Sequence, residues 1–143
     1  MPNISIETGL KTFDLNDAVT VTFNPTDILY AERIIHTMEM LEAMQREYND
    51  RYNADSDYAI VVKAAHELND KMREMIDELF DVPVCQPLFG DVAVYSPADG
   101  LPLWCNLLLA VIDEMDDSIG REKAKTNPRI EKYIKKYDKK RGG

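Results

Sequence analysis

The pattern of apolar and polar positions changes period several times along the chain. Ile4 and Ile6 alternate with polar neighbours, as do Phe13 and Leu15, and then Val19, Val21 and Phe23. Period-two alternation puts these side chains on one face of a strand. Asn16-Asp17 sits between the last two runs and supplies turn chemistry. The spacing predicts a small hairpin or three-stranded meander over residues 3–23.

From residue 24 the period becomes helical. Asn24 can cap, Pro25 suits a first helical position, and Asp27 favours the positive end of the dipole. Ala31, Ile34, Met38, Leu41, Gln45, Tyr48 and Tyr52 step by three and four, with one polar interruption at Gln45. Asn53 to Asp57 is a polar break. Tyr58, Val61, Ala65, Leu68, Met72, Met75 and Leu79 then keep the three-four step without a miss. Two such helices, over 24–52 and 57–81, joined by a short turn make an antiparallel pair.

Pro83 and Pro87 stop the second helix. Residues 82–101 hold five Pro or Gly residues among Val84, Leu88, Phe89, Val92, Val94 and Tyr95. A loop this long is expected to be functional or packed by its own side chains. A third helix is predicted from about Pro102 to Ile119, with Gly120 placed to end it. Asn127-Pro128 can start a short final helix carrying Ile130, Tyr133, Ile134 and Tyr137 among lysines. The fold class is therefore mainly α: a small N-terminal β element, an antiparallel helical hairpin, a third packed helix and a basic C-terminal tail. Residues 1–120 form the one domain expected, and 121–143 the tail, which is expected to be dispensable for folding.

Charge sharpens that division. The net charge is −9 over 143 residues. Arg121 to Gly143 carries ten basic and three acidic residues, whereas residues 1–120 carry seven basic and 23 acidic. An acidic body repels phosphate backbones, while a basic tail can meet nucleic acid, its own body or an acidic partner. No apolar run approaches the ~20 residues that span a bilayer. No basic-then-apolar leader opens the chain, so a cytoplasmic location is expected. Cys85 and Cys105 read as reduced, partly buried thiols.

The chemistry-bearing motifs fail one by one. His66-Glu67-Leu68-Asn69-Asp70 begins like a zinc-protease helix, but the second ligand position is Asp70. His36 stands four residues after Glu32, which breaks the Glu-x-x-His spacing of di-iron bundles. Asp113, Glu114, Asp116 and Asp117 crowd one helix end with no His nearby, and a solvated face accounts for them. No phosphate loop, dinucleotide fingerprint or nucleophile elbow is present. Neither catalysis nor a cofactor nor a metal is expected.

Binding is the remaining class. Of seven methionines, Met38, Met72 and Met75 lie on the helical stripes and read as core. Met40 and Met44 lie off the best stripe and are candidates for an adaptable surface. Leu88, Phe89, Val94, Tyr95 and Trp104 are the other candidates, because a stiff loop rich in aromatics loses little entropy on binding. The alternative is that the loop folds back and caps the helical pair, with Phe89 and Trp104 as core.

The order of parts carries a resemblance. A small β element precedes a long helix, and a second long helix ends in Glu78-Leu79-Phe80-Asp81. A loop with Leu88-Phe89-Gly90-Asp91 and a helix ending in Ile112-Asp113-Glu114-Met115 follow. Over roughly residues 3–119 this resembles the small tail assembly chaperones of long-tailed phages and prophages of Gram-positive bacteria. The resemblance implies a mainly helical, non-enzymatic protein that binds the tape measure protein and keeps that long helical client soluble during tail assembly. The longer loop around residues 92–105 and the basic tail depart from the family pattern. Two rival functions remain: a head–tail connector or tail-completion part, and a nucleic-acid-associated regulator using the basic tail. The partner expected is a protein client, with a homo-oligomer allowed and neither membrane nor nucleic acid expected.

Overall fold

The computed structural model describes residues 1–53 and 55–141. Strand β1 (Lys11–Leu15) pairs antiparallel with β2 (Val19–Phe23), Phe13 facing Val21 and Leu15 facing Val19. Asn16 and Asp17 both take φ of 55°. These two positive φ values make a tight turn closed by the Ala18 N–H donating to the Leu15 carbonyl at 3.0 Å, within a three-residue connection between the paired Leu15 and Val19. One face carries Phe13, Leu15, Val19, Val21 and Phe23, with Val21 and Phe23 buried. Phe13 stacks on Phe23 at 4.8 Å. The third strand expected at Ile4 and Ile6 does not form, and both isoleucines are exposed. Their segment has no paired neighbour to satisfy its backbone.

Helix α1 spans Ile28–Arg51 and α2 Tyr58–Phe80. The α1 start lies later than its sequence suggests. Asn24 folds a turn, its Oδ1 accepting from the Thr26 N–H at 3.0 Å, and its amide donates to the Thr8 carbonyl. Asp27 then caps the helix by accepting from the Leu29 N–H at 3.0 Å. Asp57 caps α2 in the same way through Ala59, at 2.9 Å. Asp81 closes α2 in the left-handed region, φ 56°. Within the polar break at 53–57, Ala54 lies outside the described residues, as do Gly142 and Gly143 of the tail.

The helical stripes form the core. Ile34, Leu41, Leu68, Met72 and Leu79 are buried, and Met38 and Met75 pack against them. Two positions differ from the expected stripe. Tyr58, in the first turn of α2, is 81% exposed. Ile76 is fully buried although the stripe passes it by. The second half of α2 contacts β2 and α3 as well as α1, so more than one of its faces is covered.

Helix α4 (Leu103–Ala124) packs on α1 and completes the core with Leu107, Leu108, Val111 and Met115. It runs through Gly120, the expected stop. Mid-helix glycine costs about 1 kcal/mol, and side chains bridge the position. Arg121 donates to Glu114 Oε1 at 3.0 Å and to Ser118 Oγ at 3.1 Å. Helix α5 (Arg129–Arg141) forms as the asparagine-proline start suggests, Asn127 Oδ1 accepting from the Arg129 N–H. Every residue from Arg129 to Asp138 is exposed. Among the described residues, no helix is long and apolar enough to cross a membrane.

Candidate partner-binding surface

The 82–101 segment is strapped down. It contains a one-turn helix, α3 (Cys85–Phe89), and a two-residue ladder between β3 (Pro97–Ala98) and β4 (Leu101–Pro102). Four α2 positions spaced four apart hold it: 65, 69, 73 and 77, one stripe of the helix. The Asp77 carboxylate accepts from the Val84 and Cys85 N–H groups at 2.9 and 3.0 Å and so caps α3. The Arg73 guanidinium donates to the Gly90 and Val92 carbonyls, both at 2.6 Å. Asn69 Oδ1 accepts from the Val94 N–H at 2.9 Å. The Tyr95 hydroxyl donates to the Ala65 carbonyl at 3.2 Å. Backbone polar groups that a loop would leave to water are thus satisfied by one helix.

This placement corrects part of the expected binding surface. Val94 is fully buried and Trp104 is 5% exposed, so neither side chain is presented to a partner. The Trp104 indole N–H donates to Gln45 Oε1 at 2.8 Å. That bond explains the polar interruption in the α1 stripe, since a buried indole needs an acceptor. Leu88, Phe89 and Tyr95 are half-buried and packed against the core. Their loop still shows Val82 and Val92 outward. Of the two methionine candidates, Met40 is 44% exposed on the outer side of α1. Met44 is half-buried.

Met44 leads to a feature that the sequence did not single out. It lines an open cleft of about 180 Å³ between the end of α1 and the middle of α2. The apolar lining is Met44, Tyr48, Tyr52, Ala64 and Leu68. Glu47, Arg51, Glu67 and Lys71 form a rim of both signs. Tyr48 is the centre of an aromatic group, 5.1 Å from Tyr52 and 6.0 Å from Tyr95 between ring centres. Its hydroxyl donates to the Val61 carbonyl at 3.4 Å, a contact from α1 to α2. Tyr95 therefore backs this cleft through Tyr48. In the sequence Tyr48 and Tyr52 read only as the end of a core stripe, and nothing in the spacing shows that a cleft opens beside them.

Burial shifts both cysteine thiols upward. Burial pushes the Cys85 thiol up to about 12, and the neighbouring Asp77 charge adds to the shift. A thiol held protonated is a poor nucleophile and a poor ligand. Burial likewise raises Cys105, with Glu42 adding. Both cysteines are free. Among the described residues, no three His, Cys, Asp or Glu side chains gather as a metal site. His36 and His66 are exposed on separate helices. The arrangement offers apolar contact, aromatic faces and a charged rim. Comparison with protein-family models, with curated proteins and with solved structures returns no match to this chain.

Proposed function

We propose that this chain is a non-enzymatic assembly chaperone that binds an apolar helical segment of a protein client. The client that the resemblance implies is the tape measure protein of a long-tailed phage. The observation that supports this reading most is the α1–α2 cleft. It is open and largely apolar in its lining, and its polar rim carries both signs of charge. A cleft between two helices takes the anchor side chains of a third, and a flexible Met44 beside Tyr48 tolerates varied anchors. Leu88 and Phe89 on the strapped loop, with exposed Val92 beside them, offer a second apolar contact. The role requires no reaction at any residue.

Co-expression with a tape measure protein tests the reading. Ala64→Trp fills the cleft from a half-buried position on its wall. The expected result is loss of client co-purification with an almost unchanged melting temperature. Undiminished capture by the filled variant would refute the proposed site. Tail-tube or connector particles formed by the chain alone would favour the structural-part reading instead.

A further inference from the structure

Two exposed helix faces in this molecule complement each other. The first is the outer face of α1, opposite its buried stripe. It carries Ile28, Leu29, Ile35 and Met40, all exposed, with Glu32 and Glu39 between them. Neither glutamate has an ion-pair partner among the described residues. The second is α5, whose exposed Ile130, Tyr133 and Ile134 share one stripe. Arg129 and Lys136 border that stripe on one side, and they too lack an ion pair among the described residues.

The spacings agree. Ile28 and Ile35 are seven apart, as are Glu32 and Glu39 on α1, and Arg129 and Lys136 on α5. Pairs seven apart return to the same face of a helix after two turns, so the two charged pairs can meet acid to base along one seam. The lengths match as well. Residues 28–40 of α1 span about 20 Å at 1.5 Å per residue, as do the 13 residues of α5. An isolated helix of this length is marginal in water, so α5 gains most from a partner. Its own body leaves it exposed, and that body carries seven basic and 23 acidic residues over 1–120.

We propose that α5 docks on the outer face of α1 of a second copy of this chain, the apolar stripe of α5 meeting Ile28 and Ile35 while Arg129 and Lys136 pair with Glu32 and Glu39. Each copy supplies one helix and one acceptor face, so two copies either exchange their α5 helices or extend into an open array. The contact is separate from the client reading, because Glu32 and Glu39 lie outside the α1–α2 cleft.

Sedimentation equilibrium of the full chain over a wide concentration range, at low and high salt, tests it. The wild type self-associates, and salt weakens the association. Glu32→Lys with Glu39→Lys weakens it about tenfold or more, because two attractions become repulsions. Arg129→Glu with Lys136→Glu does the same. Combining all four substitutions restores association. All these positions are exposed, so circular dichroism is expected to remain that of the wild type. A monomer at every concentration overturns the proposal, including one with α5 folded on its own α1. So does association that either double reversal leaves unchanged. Binding of α5 to duplex DNA or anionic vesicles by a protein that stays monomeric overturns it as well.

Discussion

Arg73→Met is expected to release the 82–101 segment while leaving the helical pair intact. The guanidinium donates to the Gly90 and Val92 carbonyls at 2.6 Å each, and further to Gln86 Oε1 at 3.2 Å and Asn69 Oδ1 at 3.3 Å. A hydrogen bond from a charged donor contributes about 1.5–3 kcal/mol. Of the two short bonds, one is partly buried and the other exposed, so water replaces much of the second. The loss is then about 2–3 kcal/mol. Methionine keeps most of the stem's packing, so the change reads out the hydrogen bonds and not a cavity. For a chain of this size the melting temperature falls by roughly 3 °C per kcal/mol, about 6–9 °C in all. Amide hydrogen exchange localises the effect. The Val92 and Val94 N–H groups, bonded to Phe89 O and Asn69 Oδ1, exchange faster in the variant. Amides in the middle of α1 and α2 keep their protection relative to global unfolding. Uniformly faster exchange, or none, would refute the idea that Arg73 straps a separable segment.

Further outcomes follow from the same packing. Leu68→Asp puts an unpaired charge into the seam beside Met72 and costs about 3–5 kcal/mol by urea denaturation; an unchanged midpoint would place the core elsewhere. A chain ending at Lys125 melts cooperatively within about 2 °C of the full chain, because Arg129 to Asp138 are all exposed. Ending it at Gly120 instead cuts α4 and removes Arg121, and is measurably worse. Stability falls as pH rises from about 9 towards about 12. Cys85 and Tyr30, raised from 9.0 and 10.0 to about 12 chiefly by burial, keep their protons longer folded than unfolded. Cys85→Ala with Tyr30→Phe flattens that alkaline slope in urea melts.

Much of the fold was legible because it rests on period. The heptad stripes of α1 and α2 name their own buried faces, and Asn16-Asp17 names its own turn. The misreadings have local causes. Pro25 resembles a first helical residue, yet Asn24 finds better partners in Thr8 and Thr26, so the cap moves to Asp27. Gly120 resembles a stop, yet Glu114, Ser118 and Arg121 bridge it. The candidate surface was less legible. Asn69, Arg73 and Asp77 form a visible polar stripe, but the groups they hold are backbone amides and carbonyls, which no residue type announces. The apolar loop therefore looked free to bind, whereas Val94 and Trp104 belong to the core. The cleft at Tyr48 depends on how α1 and α2 pack, which spacing along the chain does not reveal.

The central claim is that the α1–α2 cleft receives an apolar helical client, and its most direct test reads the methionine methyl groups. Of the seven methionines, Met44 lines this cleft, while Met40 lies outside it and Met72 is fully buried. Methyl-labelled protein is titrated with a synthetic helical peptide taken from a tape measure protein, and each methyl shift is followed by NMR. The account predicts a saturable shift at Met44 that Ala64→Trp abolishes, with Met40 unmoved. A saturating shift at Met40 with Met44 unmoved, or no shift at millimolar peptide, would contradict it.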